Sequence, residues 1–332
     1  MNNITPLFQL NLLLHMCMPY HKTSGFNPYF YNKGFSIRHI ETAIPLPQAN
    51  INHLSTINVT RKKVSPEIVL ANDSEIILFE CKVSDFELDF SHHSASQAAG
   101  YLSLNPTYLR DYFGLKKSLF KEGKIMYGIL PEKELQVKNT LQSIQKIIEN
   151  IFKNALPHEI FTIIQNKKGI YIKLSESNNK KPIKIIDSTI MENEQLFYII
   201  PTDISGNIDE NSENILKLQI KQTLRSVIGR GINFNNFSFS TLDICKKINP
   251  IWDLLPNYYR TKLKLWINDI LREFINDFSK TGIQITYEKQ TFKFPTLSEK
   301  QKDNIRKYLI SEEFLNIDDF PEVSSIQLSL NI

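Results

Sequence analysis

Residues 65–83, "SPEIVLANDSEIILFECKV", restrict the fold more than any other stretch of the chain. Two apolar, β-branched runs flank Asn72, Asp73 and Ser74, residue types that favour reversals, so a hairpin centred on Asp73 and Ser74 is expected. Directly opposed residues in that hairpin have indices summing to 147, which sets Glu67 against Glu80. Opposed Cβ atoms lie about 4.5 to 5.5 Å apart, and like charges there repel. Lys82 shares the face of Glu80, while Phe79 and Cys81 point the other way. Two carboxylates and one ammonium therefore converge beside the apolar run "IILF". An unneutralised pair of this kind must raise a pKa or recruit a cation, and oxygen ligands select a hard ion, Mg²⁺ or Mn²⁺, in preference to zinc.

The surrounding segments read as an α/β core. Strands are expected near Ile57–Lys62, Glu67–Ala71 and Ile76–Val83, then a helix on "SASQAAGYLSL" and a second helix started by Pro106 in "PTYLRDYFGLKKSLF". "KIMYGIL" at 124–130 suits a buried strand, and a long helical pattern runs from Leu135 to Asn154. Upstream, "PLFQLNLLLHMCM" is interrupted by Gln9, Asn11 and His15, is too short to span a bilayer and has no preceding Lys or Arg, so a core helix is expected. Residues 19–56 lack a sustained period and suggest irregular chain with a short helix near Arg38–Thr42. Downstream, "IFTIIQ", "GIYIKLS", "PIKIID" and "LFYIIP" read as an antiparallel meander, and "SGNIDENSEN" at 205–214 is the most linker-like stretch. The last third is more helical. Its order of two helices and a hairpin over 240–295 resembles a winged helix-turn-helix, with an α+β subdomain packed on the core or on a partner as the plainer reading. The expected division is 1–156 and 157–332, the second part an α+β region for target or partner recognition.

"PE" followed, after a short strand and turn, by "ECK" resembles the PD-(D/E)XK nuclease superfamily, whose fold is restriction-endonuclease-like, a central mixed sheet flanked by helices. "SASQAAGYL" places Gln97 and Tyr101 four apart on one helical face, similar to the Q-xxx-Y helix of that superfamily's RecB-like nucleases. The resemblance covers roughly residues 57–130. It implies a metal-dependent nuclease acting on DNA, plausible in bacterial defence or DNA processing, with Glu67 and Glu80 as acidic metal ligands and Cys81 offering its main-chain carbonyl. It further implies that Lys82 orients or activates the attacking water and that Gln97 and Tyr101 support the site. Glu67 departs from the commonest pattern, which has Asp after the proline, and Glu41 is the one candidate for an upstream acid. The rival expectation is a non-catalytic DNA-binding or assembly subunit built on the same core.

Other features bound these readings. The chain has 332 residues, enough for two domains, and a net charge of +4, so attraction to a polyanion must come from local patches. Those patches are "RKK" at 61–63, Lys116 with Lys117, "NKK" at 166–168, "NNKKPIK" at 178–184 and "YYRTKLK" at 258–264. Lys116 and Lys117 are the candidates for holding DNA, while each run alone is usually a solvated face. His92 and His93 read as surface or capping residues, and Asp85, Glu87 and Asp89 as the wet face of a continuing strand. Cys17, Cys81 and Cys245 form no CxxC pair, which suits a reducing cytoplasm. No GxxxxGK[ST] or GxGxxG occurs, so ATP-driven movement, if needed, belongs to a partner such as a companion ATPase.

Overall fold

Asn72 closes the expected reversal: its Oδ1 accepts from the backbone N–H of Ser74 at 2.9 Å and of Glu75 at 2.8 Å. The strands on either side, β4 (Ile68–Ala71) and β5 (Glu75–Cys81), pair antiparallel from Ile68 opposite Phe79 to Ala71 opposite Ile76, the register the sequence predicts. In this computed structural model of the protein, the described residues are 6–20, 24–82, 86–175, 181–188, 210–280 and 282–311. The chain forms two compact units, Met1–Phe197 and Tyr198–Ile332.

The first unit is α/β and built on a mixed seven-stranded sheet of order β1-β4-β5-β6-β7-β8-β9. β1 (Ser36–Ile40) lies antiparallel to the outer edge of β4. A short helix was the sequence expectation near Arg38–Thr42; the backbone is extended because it satisfies hydrogen-bonding groups of the buried β4 that would otherwise be unpaired. Beyond β5, α3 (His93–Leu102) and α4 (Pro106–Tyr112) cross over to β6 (Glu122–Ile129), which runs parallel to β5. Asn105 caps α4 by accepting from the Thr107 N–H at 2.7 Å, with Pro106 in the first turn as expected. Next, α5 (Glu134–Ile151) buries Val137, Leu141, Ile144 and Ile148 as one stripe and returns the chain to β7 (His158–Asn166), parallel to β6. β8 (Gly169–Leu174) and β9 (Ile183–Asp187) then add on antiparallel.

Those last three strands form an antiparallel run only from β7 onward, and they belong to the first unit's sheet rather than to a separate region starting at 157. Alternation within each strand is readable in isolation; that α5 would deliver β7 onto β6 is not. "LFYIIP" lies outside the described residues. A core on one sheet face joins α3 and α5 to Val69, Ala71, Ile76, Leu78, Ile125 and Tyr127. α1 (Pro6–Cys17) is the expected core helix, with Leu12, Leu13 and Leu14 buried. The strand expected near Ile57–Lys62 is replaced by a turn through Asn58 at φ 62° that follows α2 (Gln48–Ser55), and irregular chain; Lys63–Val64, β3, then pairs with β2 (Ile44–Pro45).

The second unit is α+β among its described residues. It contains α6 (Glu210–Gly231), β10 (Ser238–Ser240), α7 (Thr241–Ile248), α8 (Asn257–Lys280), β11 (Thr286–Glu288), β12 (Thr291–Lys293) and α9 (Glu299–Leu309). The linker-like stretch is already helical from Glu210. Ser240 and Asp243 form a reciprocal capping box at α7, and α8 buries Tyr259, Leu263, Ile267 and Leu271 along one face. The strands order as β10-β12-β11, with Lys289 and Gln290 both at positive φ in the β11–β12 turn.

Candidate active site

β5 is central, and its residues from Ile76 to Cys81 are all buried, as a strand covered on both faces requires. Glu80 is therefore a carboxylate deep in the fold, 3% exposed, at the carboxyl end of the strand. The cost of burying it is offset by three donors. Lys82 Nζ lies 2.5 Å from Oε1, while Oε2 accepts from Tyr101 Oη at 2.7 Å and from Gln97 Nε2 at 3.2 Å. Gln97 also reaches back, its Oε1 accepting from Lys82 Nζ at 3.2 Å and its Nε2 donating to Tyr101 Oη at 3.1 Å. The backbone of Lys82 is fixed by donation of its N–H to the Gly128 carbonyl at 2.8 Å.

α3 can present Gln97 and Tyr101 at this depth because the rest of its inner surface is small. Ala95, Ala98, Ala99 and Gly100 are buried, and a Cβ on Gly100 would fall 2.7 Å from Val64 Cγ1. Glu67 precedes β4 and lies opposite Glu80 by continuation of the observed register. Its Oε2 accepts the Cys81 N–H at 3.0 Å. Burial, followed by the Glu80 carboxylate, pushes the Glu67 pKa from 4.5 up to about 9, which favours its protonated form at neutral pH. Tyr101 is likewise pushed up, by burial and then by Glu80 and Glu67, and stays a neutral donor. Burial raises the Cys81 thiol well above its ordinary value, which leaves its main-chain carbonyl as its available ligand.

The structure thus brings together Glu67, Glu80, Lys82, Gln97 and Tyr101. It does not bring Lys116 and Lys117 to them. Both are exposed in the turn between α4 and β6, and the following Lys121 bonds Ser74 at the hairpin reversal, the end of β5 remote from Glu80. Glu41 ends β1 in a bend at φ 50°, not in a helix, and its N–H donates to the Glu67 carbonyl at 2.9 Å. His92 precedes α3 without a side-chain cap, and Asp89 accepts the Ser91 N–H at 2.8 Å in an exposed turn, not a continuing strand. Asp85 is outside the described residues.

Two residues near the acids were not expected as site residues, although Arg61 stands in the basic run at 61–63. Tyr127 lies beside Glu80 in the parallel β5–β6 register, is fully buried, and its hydroxyl has no hydrogen-bond partner among the described residues. Arg61 reaches α3, donating from Nε to Ser96 Oγ at 3.2 Å and from a terminal nitrogen to the His93 carbonyl at 3.0 Å. The composition "RKK" marked Arg61 as basic; the parallel pairing that selects Tyr127 had no local signal.

Among the described residues no three His, Cys, Asp or Glu side chains gather as a metal-ligating group. The acids are a pair, and Mg²⁺ is ordinarily held by one or two carboxylates with water completing its shell. The donor set fits such an ion: two facing carboxylates repel, as the raised Glu67 pKa reflects, and a cation would relieve that repulsion. Comparison with curated proteins and with solved structures finds no match. Residues 7–198 match the family model of the MJECL32 domain, a span covering more than half of the chain and ending at the boundary of the first unit. The chain belongs to the MJECL32 domain family.

Proposed function

We propose that the protein is a metal-dependent nuclease that hydrolyses phosphodiester bonds of DNA. The observation that carries this reading is the convergence of Glu67, Glu80 and Lys82 with Gln97 and Tyr101 at the carboxyl end of β5. The order hairpin, helix, parallel strand, from β4 through α3 to β6, is similar to the restriction-endonuclease-like core. In the second unit, α7, α8 and the β11–β12 hairpin follow a winged-helix order that suits target or partner recognition.

Glu67, Glu80 and the Cys81 carbonyl are the groups that would hold Mg²⁺ or Mn²⁺. Bound there, the ion supplies Lewis acidity toward a phosphoryl oxygen and lowers the pKa of water. Gln97 and Tyr101 lock the orientation of Glu80, and Glu80 with Gln97 holds the Lys82 ammonium, which is placed to orient a water and to stabilise developing negative charge. Buried free cysteines suit a reducing cytoplasm, and no described helix is long and apolar enough to cross a membrane.

The purified protein, alone or with a companion ATPase, is expected to cut plasmid or linear DNA in Mg²⁺ or Mn²⁺ and to stop in EDTA. Lys82→Ala should lower the rate on the order of 100-fold or more while the melting curve stays cooperative. Equal activity in that variant would place the chemistry elsewhere. A second reading rests on one feature: Glu80 already accepts three side-chain donors, so its carboxylate is satisfied without a cation. A DNA-binding or assembly subunit would keep such a cluster for its fold, and binding without cleavage under every metal and partner would favour it.

A further inference from the structure

Arg61 approaches the proposed site from outside the hairpin and α3 motifs. Its stem runs past Gly100, where an added Cβ would sit 3.8 Å from Arg61 Cδ, and its guanidinium lies along the first turns of α3. Two of a guanidinium's five N–H donors are occupied, on Ser96 Oγ and the His93 carbonyl; the remainder have no protein acceptor among the described residues. The side chain is half-buried, and the charge of Glu80 and the Tyr101 hydroxyl both reach it. His93, exposed on the helical face that carries Gln97 and Tyr101, feels Arg61, Lys82 and Glu80 together. Lys82 spends two of its three donors on Glu80 and Gln97, whereas the Arg61 fork keeps a planar set of donors for an incoming anion.

We infer that Arg61 binds a non-bridging oxygen pair of a DNA phosphate beside the Glu67–Glu80 site and sets the register of the strand to be cut. This rests on the nuclease reading and names the contact that delivers its substrate. Two anchoring bonds hold the planar fork in place, so little side-chain freedom is left to lose when a phosphate arrives. Were Glu67 and Glu80 to hold a divalent ion, their charge would be offset, the local formal charge would be set by Arg61 and Lys82, and the site would attract an anion. The partner chemistry is a phosphodiester, since a tetrahedral phosphate offers two coplanar oxygens to the fork as well as the bond that the neighbouring carboxylates are arranged to work on.

The test uses the full chain, a fluorescein-labelled duplex and Ca²⁺ in place of Mg²⁺ so that binding is read without cleavage. Arg61→Ala is expected to weaken DNA binding roughly tenfold, as loss of a charge-assisted hydrogen bond does. The slope of log affinity against log salt should become shallower by about 0.9, one phosphate contact fewer. Mn²⁺ binding to the acid pair, measured by calorimetry without DNA, should be unchanged. Arg61→Gln, which keeps a donor for α3 but removes the charge, should show the same loss of salt slope and serves if the alanine variant does not fold. Lys146→Ala, an exposed residue on α5, should alter neither quantity. Wild-type binding and slope in Arg61→Gln would overturn this inference and leave the nuclease reading standing. Loss of Mn²⁺ binding in the wild type, or no DNA binding by it in Ca²⁺, would overturn both.

Discussion

The first unit gathers two glutamates and a lysine, buried or half-buried, at each end of its parallel strands, and the two clusters behave differently. At the amino end, Lys124 sits between the acids, 2.9 Å from Glu75 and 3.0 Å from Glu159. Burial opposes its charge, but Glu75 and Glu159 outweigh that and raise its pKa, so one ammonium is shared between the two acids. At the carboxyl end, Lys82 bonds Glu80 and Gln97, not Glu67, and the second acid holds a proton up to about pH 9. Equal composition thus yields two acids bridged by a lysine at one end and two acids facing each other directly at the other. What separates them is whether the cation stands between the acids or to one side.

Exchange of the two ends in mutagenesis gives the largest contrast. Glu80→Ala should lower DNA cleavage on the order of 100-fold or more, whereas Glu159→Gln should keep cleavage within a few-fold of wild type, read by plasmid nicking in Mg²⁺. Comparable losses from both would erase the distinction.

The next effect is in pH. Folding raises Glu67 from an ordinary carboxylate pKa of 4.5 to about 9, so between those values the native state holds a proton that the unfolded chain has released. Stability in EDTA should therefore be greatest at the acid end and fall as pH rises toward 9, by at most about 1.4 kcal/mol per unit from this group. Mg²⁺ should stabilise more at pH 8 than at pH 6, and Glu67→Gln should flatten both trends in urea titrations. A pH-independent difference between the variant and wild type would show that the pair shares no proton.

Smaller changes sharpen the amino end. Lys124→Met leaves two partly buried acids facing each other and should cost about 1 to 2 kcal/mol, the range being reduced by solvent access to the lysine. Smallest of all, Tyr127→Phe removes a buried hydroxyl without a partner and should be neutral or stabilise by up to about 1 kcal/mol in metal-free unfolding. A clear loss there would mean that the hydroxyl has a partner in solution, such as an ordered water.

Much of the carboxyl-end cluster is local in sequence, which is why it was legible. Asn72 to Ser74 fixes the reversal, the reversal fixes the register, and the register opposes Glu67 to Glu80; a helical spacing of four then puts Gln97 and Tyr101 on one face. The amino-end cluster was not legible, because Glu75, Lys124 and Glu159 come from three strands joined by helical crossovers, and parallel register has no turn to announce it. The same gap explains why the division expected at 156 falls within the strands of one sheet, since β7 finds its partner only through α5, and the remoteness of Lys116 and Lys117, which chain proximity to α3 disguised. Ser36–Ile40 failed for a related reason: its conformation is dictated by the edge of β4 and not by its own residues.

A crystal soaked in MnCl₂ and measured at the manganese absorption edge addresses the central claim most directly. The account predicts one anomalous peak bracketed by the side chains of Glu67 and Glu80 and the carbonyl of Cys81, absent in Glu80→Ala crystals. Saturating manganese with no peak at that position, in protein that cuts DNA under the same conditions, would contradict it.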